Sequence, residues 1–328
     1  MPDAPPEGEL MALRVARAEP AAEGIYLFEL RDPEGADLPP FTPGAHLSVR
    51  VPGGAMRNYS LSNDPHERDR YVIAVKRDER GRGGSVALVD GVAAGDVLEV
   101  SAPRNLFELD LRAPEYIFVA GGIGITPILA MIRYLKAVGG KPFRLFYLTR
   151  HAAGTAFLPD LSGPAHAEAA LPNDVVIHHD EGDPDQAYDL WPVFEEPTKA
   201  HVYCCGPRPL MDAVRDMTGH WPEDSVHFED FGSDLVRPRA DDRPFSVRLG
   251  RDGPALEVPV GTTILEVLRL HGRKLPSSCE SGTCGTCRTR YVEGEVDHRD
   301  LVLSAEDRAS SLMICVSRAT SDTLVLEL

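Results

Sequence analysis

The pattern of apolar and polar residues changes twice along this chain. In the first third, short alternating runs at residues 24–30, 46–51 and 71–76 are separated by turns that contain Pro and Gly. Alternation with a period of two is typical of half-buried strands, and several short strands at this spacing predict a small antiparallel β-barrel. We assign residues 10–111 to this barrel.

Continuous apolar runs and helical spacing alternate in the middle third. Apolar runs at residues 116–120, 144–149, 174–178 and 199–204 are suited to buried parallel strands, and residues 128–135 have helical apolar spacing. Alternating strands and helices predict a doubly wound α/β domain, which we assign to residues 112–232. Residues 226–232 are expected to form its final strand.

The last quarter returns to short alternating runs. Residues 233–243 are polar, contain Pro and have no periodicity, which indicates a linker. After it come a predicted hairpin at residues 245–260, a helix at 263–272 that stops at Gly272, and a closing strand. We assign residues 244–328 to a third domain, so the fold class is multi-domain.

Composition and charge limit the possible functions. The apolar content of 43% and the charged content of 26% are ordinary for a soluble globular protein. A net charge of −17 argues against nucleic acid or an anionic membrane as a partner, although it is compatible with a basic patch on another protein. The chain has no apolar run long enough to span a bilayer, and its first residues do not resemble a signal peptide. We therefore expect a cytoplasmic, reducing location.

Four cysteines provide the strongest chemical signal. Three occur as Cys-x4-Cys-x2-Cys on a Gly-containing loop, and a fourth follows in a distant segment. This arrangement is that of the plant-type ferredoxins, which hold a [2Fe–2S] cluster with four thiolates. The predicted ligands are Cys279, Cys284, Cys287 and Cys315. Zinc, a disulfide and a Rieske-type role for His298 are the alternatives; the first usually needs a second Cys-x2-Cys pair, which is missing here.

Two segments of the barrel suit a phosphate and a flat ring. On a strand, Arg57 and Tyr59 share one face, and the guanidinium fits a phosphate while the phenol fits an aromatic ring. Residues 81–85, Gly-Arg-Gly-Gly-Ser, can bring backbone amides close to an anion. Taken alone, each motif is weak: the first segment would also be explained by a plain strand and the second by a Gly-rich hairpin turn.

The middle domain contains two Gly-rich turns that follow strands. Residues 121–127 lead from a strand into a helix with Pro127 in its first turn, an arrangement that binds a dinucleotide pyrophosphate. The spacing is not a strict Gly-x-Gly-x-x-Gly, so it is a weak fingerprint by itself. The second turn, residues 205–207, opens another helix. Cys204 is interpreted as a core residue.

These motifs together resemble one family. Arg57-x-Tyr59-Ser60-Leu61 resembles the flavin motif of the ferredoxin–NADP reductase superfamily, and residues 81–85 are similar to the phosphate loop of its phthalate dioxygenase reductase branch. Both Gly-rich turns of the middle domain are similar to the NAD(P)-binding motifs of that superfamily. The resemblance covers nearly the whole chain after residue 10, and the domain order agrees with it. It implies an FMN-binding barrel, an NAD-binding domain and a β-grasp [2Fe–2S] ferredoxin domain.

The resemblance also implies roles for individual residues. Arg57 and Ser85 would hold the FMN phosphate, Tyr59 would pack on the isoalloxazine and Ser60 would hydrogen-bond near its N5. The remaining flavin-binding residues by resemblance are Leu61, Ala74, Val75, Lys76, Gly83 and Gly84. The nucleotide-binding residues by resemblance are Gly121, Gly122, Gly124, Thr126, Pro127, Cys205, Gly206, Pro207 and Met211. The residues expected nearest the reacting rings are Ser60, Thr126, Cys205 and Phe231.

The implied function is electron transfer from NADH through FMN and the [2Fe–2S] cluster to a Rieske-type oxygenase, an aromatic-ring dioxygenase or O-demethylase. The chain is expected to be a monomer, and no general acid or base is needed. NADH follows from the resemblance, whereas Arg150 and His151 taken alone favour the 2′-phosphate of NADPH. A cytochrome P450 or a small molecule could replace the oxygenase as acceptor. Two rival hypotheses are an electron-transfer subunit like that of dihydroorotate dehydrogenase and a non-enzymatic, zinc-containing binding module.

Overall fold

The structure of the protein is a computed structural model that describes residues 10–162, 174–231, 238–277, 280–282 and 285–328. Its contacts divide the chain into two units. One consists of Met1–Asp78 and Ser85–Asp230, and the other of Glu79–Gly84 and Phe231–Leu328. Among the described helices, none is long and apolar enough to cross a membrane.

The first unit begins with an antiparallel sheet of six strands. The strands are β1 (Met11–Ala22), β2 (Ile25–Arg31), β3 (His46–Arg50), β4 (Met56–Ser60), β5 (Tyr71–Lys76) and β6 (Val97–Val100). Their order is β4-β3-β6-β1-β2-β5, and an isolated bridge between Leu61 and Ile73 joins the two edge strands. Since the bridge closes the sheet on itself, the predicted antiparallel barrel is confirmed. One element was not predicted: helix α1 (Gly84–Gly91) follows the Gly-rich loop directly.

A parallel five-stranded sheet forms the rest of this unit. Its strands are β7 (Tyr116–Gly121), β8 (Phe143–Thr149), β9 (Asp174–His179), β10 (His201–Cys205) and β11 (Val226–Glu229), in the order β11-β10-β7-β8-β9. The helices are α2 (Ile125–Ala137), α3 (Leu158–Ser162), α4 (Trp191–Phe194) and α5 (Arg208–Met217). The predicted α/β fold is confirmed. The last strand, however, ends at Glu229, so Phe231 lies beyond it and is exposed.

The second unit contains the predicted ferredoxin fold. Its main strands are β12 (Phe245–Leu249), β13 (Ala255–Val258), β14 (Arg288–Glu293), β16 (Ser311–Met313) and β18 (Thr323–Leu326), in the order β13-β12-β18-β14-β16. Two short strands, β15 (Val296–Asp297) and β17 (Arg318–Ala319), pair separately, and the helices are α6 (Ile264–Leu270) and α7 (Ala305–Arg308). The Thr263 side chain and Glu266 form a capping box that starts α6. The central pair β12 and β18 is parallel, as in a β-grasp sheet.

The turns that follow β7 and β10 pack closely against each other at the carboxyl ends of the parallel strands. Strand order reverses at β7, which lies between β8 and β10, and the turns after β7 and β10 meet there. A Cβ added to Gly124 would lie 2.1 Å from the Cys205 carbonyl oxygen, and one added to Gly206 would lie 2.8 Å from Gly121 Cα. None of these three glycines has a positive φ. Glycine is therefore required here by space rather than by backbone conformation.

We expect Gly124→Ala to destabilise the protein by about 2 kcal/mol, because the new methyl group can be accommodated only by moving backbone atoms. Thermal or denaturant unfolding measures the change. Gly154→Ala is the matched control, since nothing lies within 4 Å of its added Cβ and its φ is not positive. Equal stability of the two variants would contradict this account of the turns.

Candidate functional site: flavin, nucleotide and cluster residues

Closure of the barrel brings together the residues predicted to line a flavin. Strand β4 carries Arg57 and Tyr59, both half-buried, and the bridge from Leu61 to Ile73 places the end of this segment beside Ala74 on β5. Ala74 and Val75 are buried, whereas Lys76 is exposed at the end of the strand. Burial raises the pKa of Tyr59 to about 12, so its phenol stays neutral. A polar strand thus lies against a mainly apolar one.

The Gly-rich loop returns to its own start before helix α1. The Asp78 backbone N–H donates to the Ser85 hydroxyl oxygen at 3.1 Å. Gly83 has a φ of +77° with open space around its Cα, so its requirement for glycine comes from backbone conformation. Ser85 lies in the first turn of α1, where backbone N–H groups are unpaired within the helix. Such a helix start suits an anionic group.

A buried carboxyl group, which the sequence reasoning missed, lies between the barrel and the parallel sheet. Glu229 ends β11, opposite Cys205 of β10, and the Ser60 side chain lies near its carboxyl. Burial raises the pKa of Glu229 to about 8, although Ser60 acts in the opposite direction. Its Oε2 is enclosed and has no hydrogen-bond partner in the described part of the chain. The only sequence signal was its place at a strand's carboxyl end.

The predicted nucleotide residues lie around the two packed turns. Thr126 is buried and its hydroxyl donates to the Ile123 carbonyl at 3.0 Å, so this group already has a partner. Cys205 is fully buried, and burial, followed by the charge of Glu229, holds the pKa of its thiol well above the usual range. Met211 lies in the apolar core beside Cys204, which is also fully buried. Burial therefore does not distinguish Cys204 from Cys205.

Two of the four predicted cluster ligands can be located. Cys287 and Cys315 are buried in the same apolar core of the second unit, and neither forms a disulfide with another described residue. Cys279 and Cys284 lie outside the described residues. The two located thiols come from the loop and from the distant segment, as the spacing requires for four thiolate ligands. These residues therefore fit a [2Fe–2S] cluster.

Glu280, the neighbour of Cys279, is held in an unusual conformation. Its φ is +52°, a left-handed value that is uncommon for a residue with a side chain. Arg269 Nη1 lies 2.7 Å from Glu280 Oε1, and the Ser277 hydroxyl donates to the same oxygen at 3.1 Å. Arg269 also donates to Ser277, so the three side chains form a closed group. Sequence reasoning did not single out these residues, because charged and hydroxyl side chains in a loop are ordinarily solvated.

Comparison with known proteins identifies the family. Residues 248–320 match the family described as "2Fe-2S iron-sulfur cluster binding domain". Over 317 residues and 96% of both chains, the protein is 60% identical to the phthalate 4,5-dioxygenase oxygenase reductase subunit of Pseudomonas putida. It is 54% identical to the phthalate dioxygenase reductase of Burkholderia cepacia over 99% of both chains. The chain belongs to the phthalate dioxygenase reductase family. This family is one of oxidoreductases, so the hypothesis of a non-enzymatic zinc module is wrong.

The fold agrees with that of a solved phthalate dioxygenase reductase. A solved phthalate dioxygenase reductase, described as a modular structure for electron transfer from pyridine nucleotides to [2Fe-2S], matches with a TM-score of 0.89. It is 52% identical and covers 99% of this chain and 100% of its own. A type IV self-sufficient cytochrome P450 monooxygenase is 38% identical with a TM-score of 0.68, but this chain covers only 41% of it.

We expect Glu229→Gln to make stability less dependent on pH. A carboxyl whose pKa is about 8 when folded and 4.5 when unfolded favours the folded state below pH 4.5, and this contribution is lost as the pH rises through 8. The free energy of unfolding of the wild type should fall between these values by up to about 1.4 kcal/mol per pH unit. Melting temperatures from pH 5 to 8.5 test this. The exposed acid Glu34 provides the control Glu34→Gln; identical slopes for all three proteins would exclude the effect.

We expect Arg269→Gln to weaken retention of the cluster, because it releases Glu280 while leaving every predicted ligand in place. The visible iron–sulfur absorption should decay roughly tenfold faster in an iron chelator. Glu280→Ala should be worse than Glu280→Gly, since only Ala keeps the left-handed strain after the contacts are lost. Arg251→Gln, which removes an exposed pair with Glu293, is the control. Decay of Arg269→Gln at the wild-type rate would show that the contacts are irrelevant.

Proposed function

We propose that this protein is the reductase component of an oxygenase system, and that it passes electrons from NADH through FMN and a [2Fe–2S] cluster to the oxygenase. The observation that carries this proposal is the convergence of Ser60, Cys205 and Glu229, which brings the flavin strand of the barrel to the nucleotide edge of the parallel sheet. A bound flavin would supply acceptance of a hydride from NADH and release of single electrons toward the cluster.

The chain's contribution at the flavin is binding and orientation. Arg57 and Ser85 bind the phosphate, helped by the start of helix α1 and by the backbone of Gly83. Tyr59 supplies a neutral aromatic ring for packing, since its phenol pKa is raised by burial. Ser60 lies near the Glu229 carboxyl, whose raised pKa keeps that group largely protonated at neutral pH. Gly84, Leu61, Ala74, Val75 and Lys76 complete the proposed flavin residues.

The two packed turns position the nucleotide. Gly121, Gly122 and Gly124 let the pyrophosphate approach the start of α2, with Pro127 in its first turn. Thr126 keeps this turn in shape through its bond to Ile123. Cys205 supplies a neutral thiol at the end of β10, and Phe231 keeps the role that the family resemblance implies for it. Gly206, Pro207 and Met211 are assigned to the second turn and the helix that follows it.

The acceptor that we propose is a Rieske-type oxygenase. Relatives at 38% identity include a vanillate O-demethylase oxidoreductase, and the most similar relatives reported above are phthalate dioxygenase reductases. Four thiolates, Cys279, Cys284, Cys287 and Cys315, are proposed to hold the cluster that donates to it. We further propose that the protein acts as a cytoplasmic monomer. A cytochrome P450 is the second candidate acceptor, because a self-sufficient P450 contains a region similar to 97% of this chain.

Addition of about one equivalent of NADH to the anaerobically purified protein should bleach both the flavin and the iron–sulfur absorption bands. In Cys315→Ser, the flavin band alone should respond, because one proposed cluster ligand is lost while the first unit is unchanged. Extraction and chromatography of the flavin should yield FMN. A wild-type spectrum that does not change with NADH would contradict the proposed electron path.

A further inference from the structure

The residues that follow strand β8 predict NADPH as the coenzyme, whereas the family predicts NADH. In dinucleotide-binding βαβ units, an acidic residue about 20 positions beyond the Gly-rich turn meets the ribose 2′-hydroxyl of NAD, whereas an Arg accommodates the 2′-phosphate of NADP. Here β8 is the corresponding second strand, and Arg150 and His151 follow its last residue, Thr149. The local sequence therefore favours a phosphate, although the family favours NADH.

The structure brings a carboxylate to this place from the neighbouring strand. Strand β9 lies parallel to β8, and the Asp180 backbone N–H donates to the Thr149 carbonyl at 3.2 Å, which aligns the two strand ends. From the turn after β9, Glu181 Oε2 reaches to 2.7 Å from His151 Nδ1. Sequence reasoning did not find Glu181. The Gly-rich-turn motif predicts a coenzyme-selecting residue at the end of the second strand, β8, whereas Glu181 lies in the turn after β9.

The conformation of the turn after β9 directs the Glu181 side chain, rather than those of its acidic neighbours, toward His151. The φ of Glu181 is +52°, and Gly182 N–H donates to the Asp180 carboxylate at 2.8 Å. Asp183 likewise uses its carboxylate within the turn, where it accepts the Asp185 backbone N–H at 3.0 Å. Of these carboxylates, the one that reaches the end of β8 is therefore that of Glu181.

We propose that Glu181 selects NADH against NADPH, an inference that rests on the proposed function. Its carboxylate contacts His151 and adds a negative charge beside Arg150, which has no ion pair among the described residues. A 2′-phosphate, being anionic, is repelled by this carboxylate, whereas a ribose hydroxyl can donate a hydrogen bond to it. Without Glu181, the Arg150 guanidinium is left without a nearby carboxylate and suits a phosphate.

The test compares the holoenzyme with its Glu181→Gln variant. The ratio of kcat/KM for NADH to that for NADPH, measured by flavin reduction, should fall roughly five- to tenfold, mainly through a gain with NADPH. Adenosine 2′,5′-bisphosphate binding, measured by calorimetry, should strengthen by a similar factor, and Arg150→Gln in the same background should reverse the gain. Asp185→Asn removes an exposed charge from the same turn and is the matched control.

Each outcome decides the inference. A lower ratio and tighter binding of the bisphosphate in Glu181→Gln alone support it. An unchanged ratio in Glu181→Gln overturns it, and so does an equal shift in Asp185→Asn, which would indicate only general surface charge. If the wild type fails to oxidise NADH or NADPH while it binds the bisphosphate more weakly than Glu181→Gln, the electron-transfer function fails and the selectivity of the pocket stands.

Discussion

The contact between the turns after β7 and β10 determines how the strands and the helix at the proposed nucleotide site are positioned. Gly124 is so close to the Cys205 carbonyl that no side chain fits between them, and this contact sets the end of β10 against the start of α2. Strand β11 is paired with β10, so the position of Glu229 follows from the same contact. Ser60 of the barrel then meets a carboxyl whose location depends on the parallel sheet. The close packing of the two turns therefore helps to determine the position of the carboxyl beside the proposed flavin site.

Periodicity and apolar runs predicted the strands whose side chains are mainly buried. Strands such as Tyr71–Lys76 and Phe143–Thr149 were expected because alternating or continuous apolar residues reflect burial directly. Helix α1 escaped prediction because its first residues are glycine and serine, which are typical of a loop. The last strand of the parallel sheet was predicted too long, since it ends at Glu229 and Phe231 is exposed beyond it.

Charged residues were the part of the sites that sequence could not assign. Glu181, Glu229 and Glu280 look alike in a sequence, yet one is exposed on a turn, one is enclosed behind a flavin strand and one is tied to Arg269. Their differences arise from neighbours that are distant along the chain. The cysteines were predictable for the opposite reason, because three of the four ligands of a plant-type cluster lie on one short loop with fixed spacing.

Residues 238–243 also show that local composition does not predict which charged side chains are buried. They end the stretch 233–243, whose polar, Pro-containing sequence predicts a linker, but Asp242 belongs to the second unit and its side chain is almost completely buried. Arg299 pairs with it there, and although burial opposes ionisation, the hydrogen bonds from Arg299 contribute to a lowered pKa of this carboxyl. Arg318 also donates a hydrogen bond to the Arg243 carbonyl, at 3.0 Å. Because a buried carboxylate is tolerated only when it is paired, removal of Arg299 alone would cost more than removal of both partners.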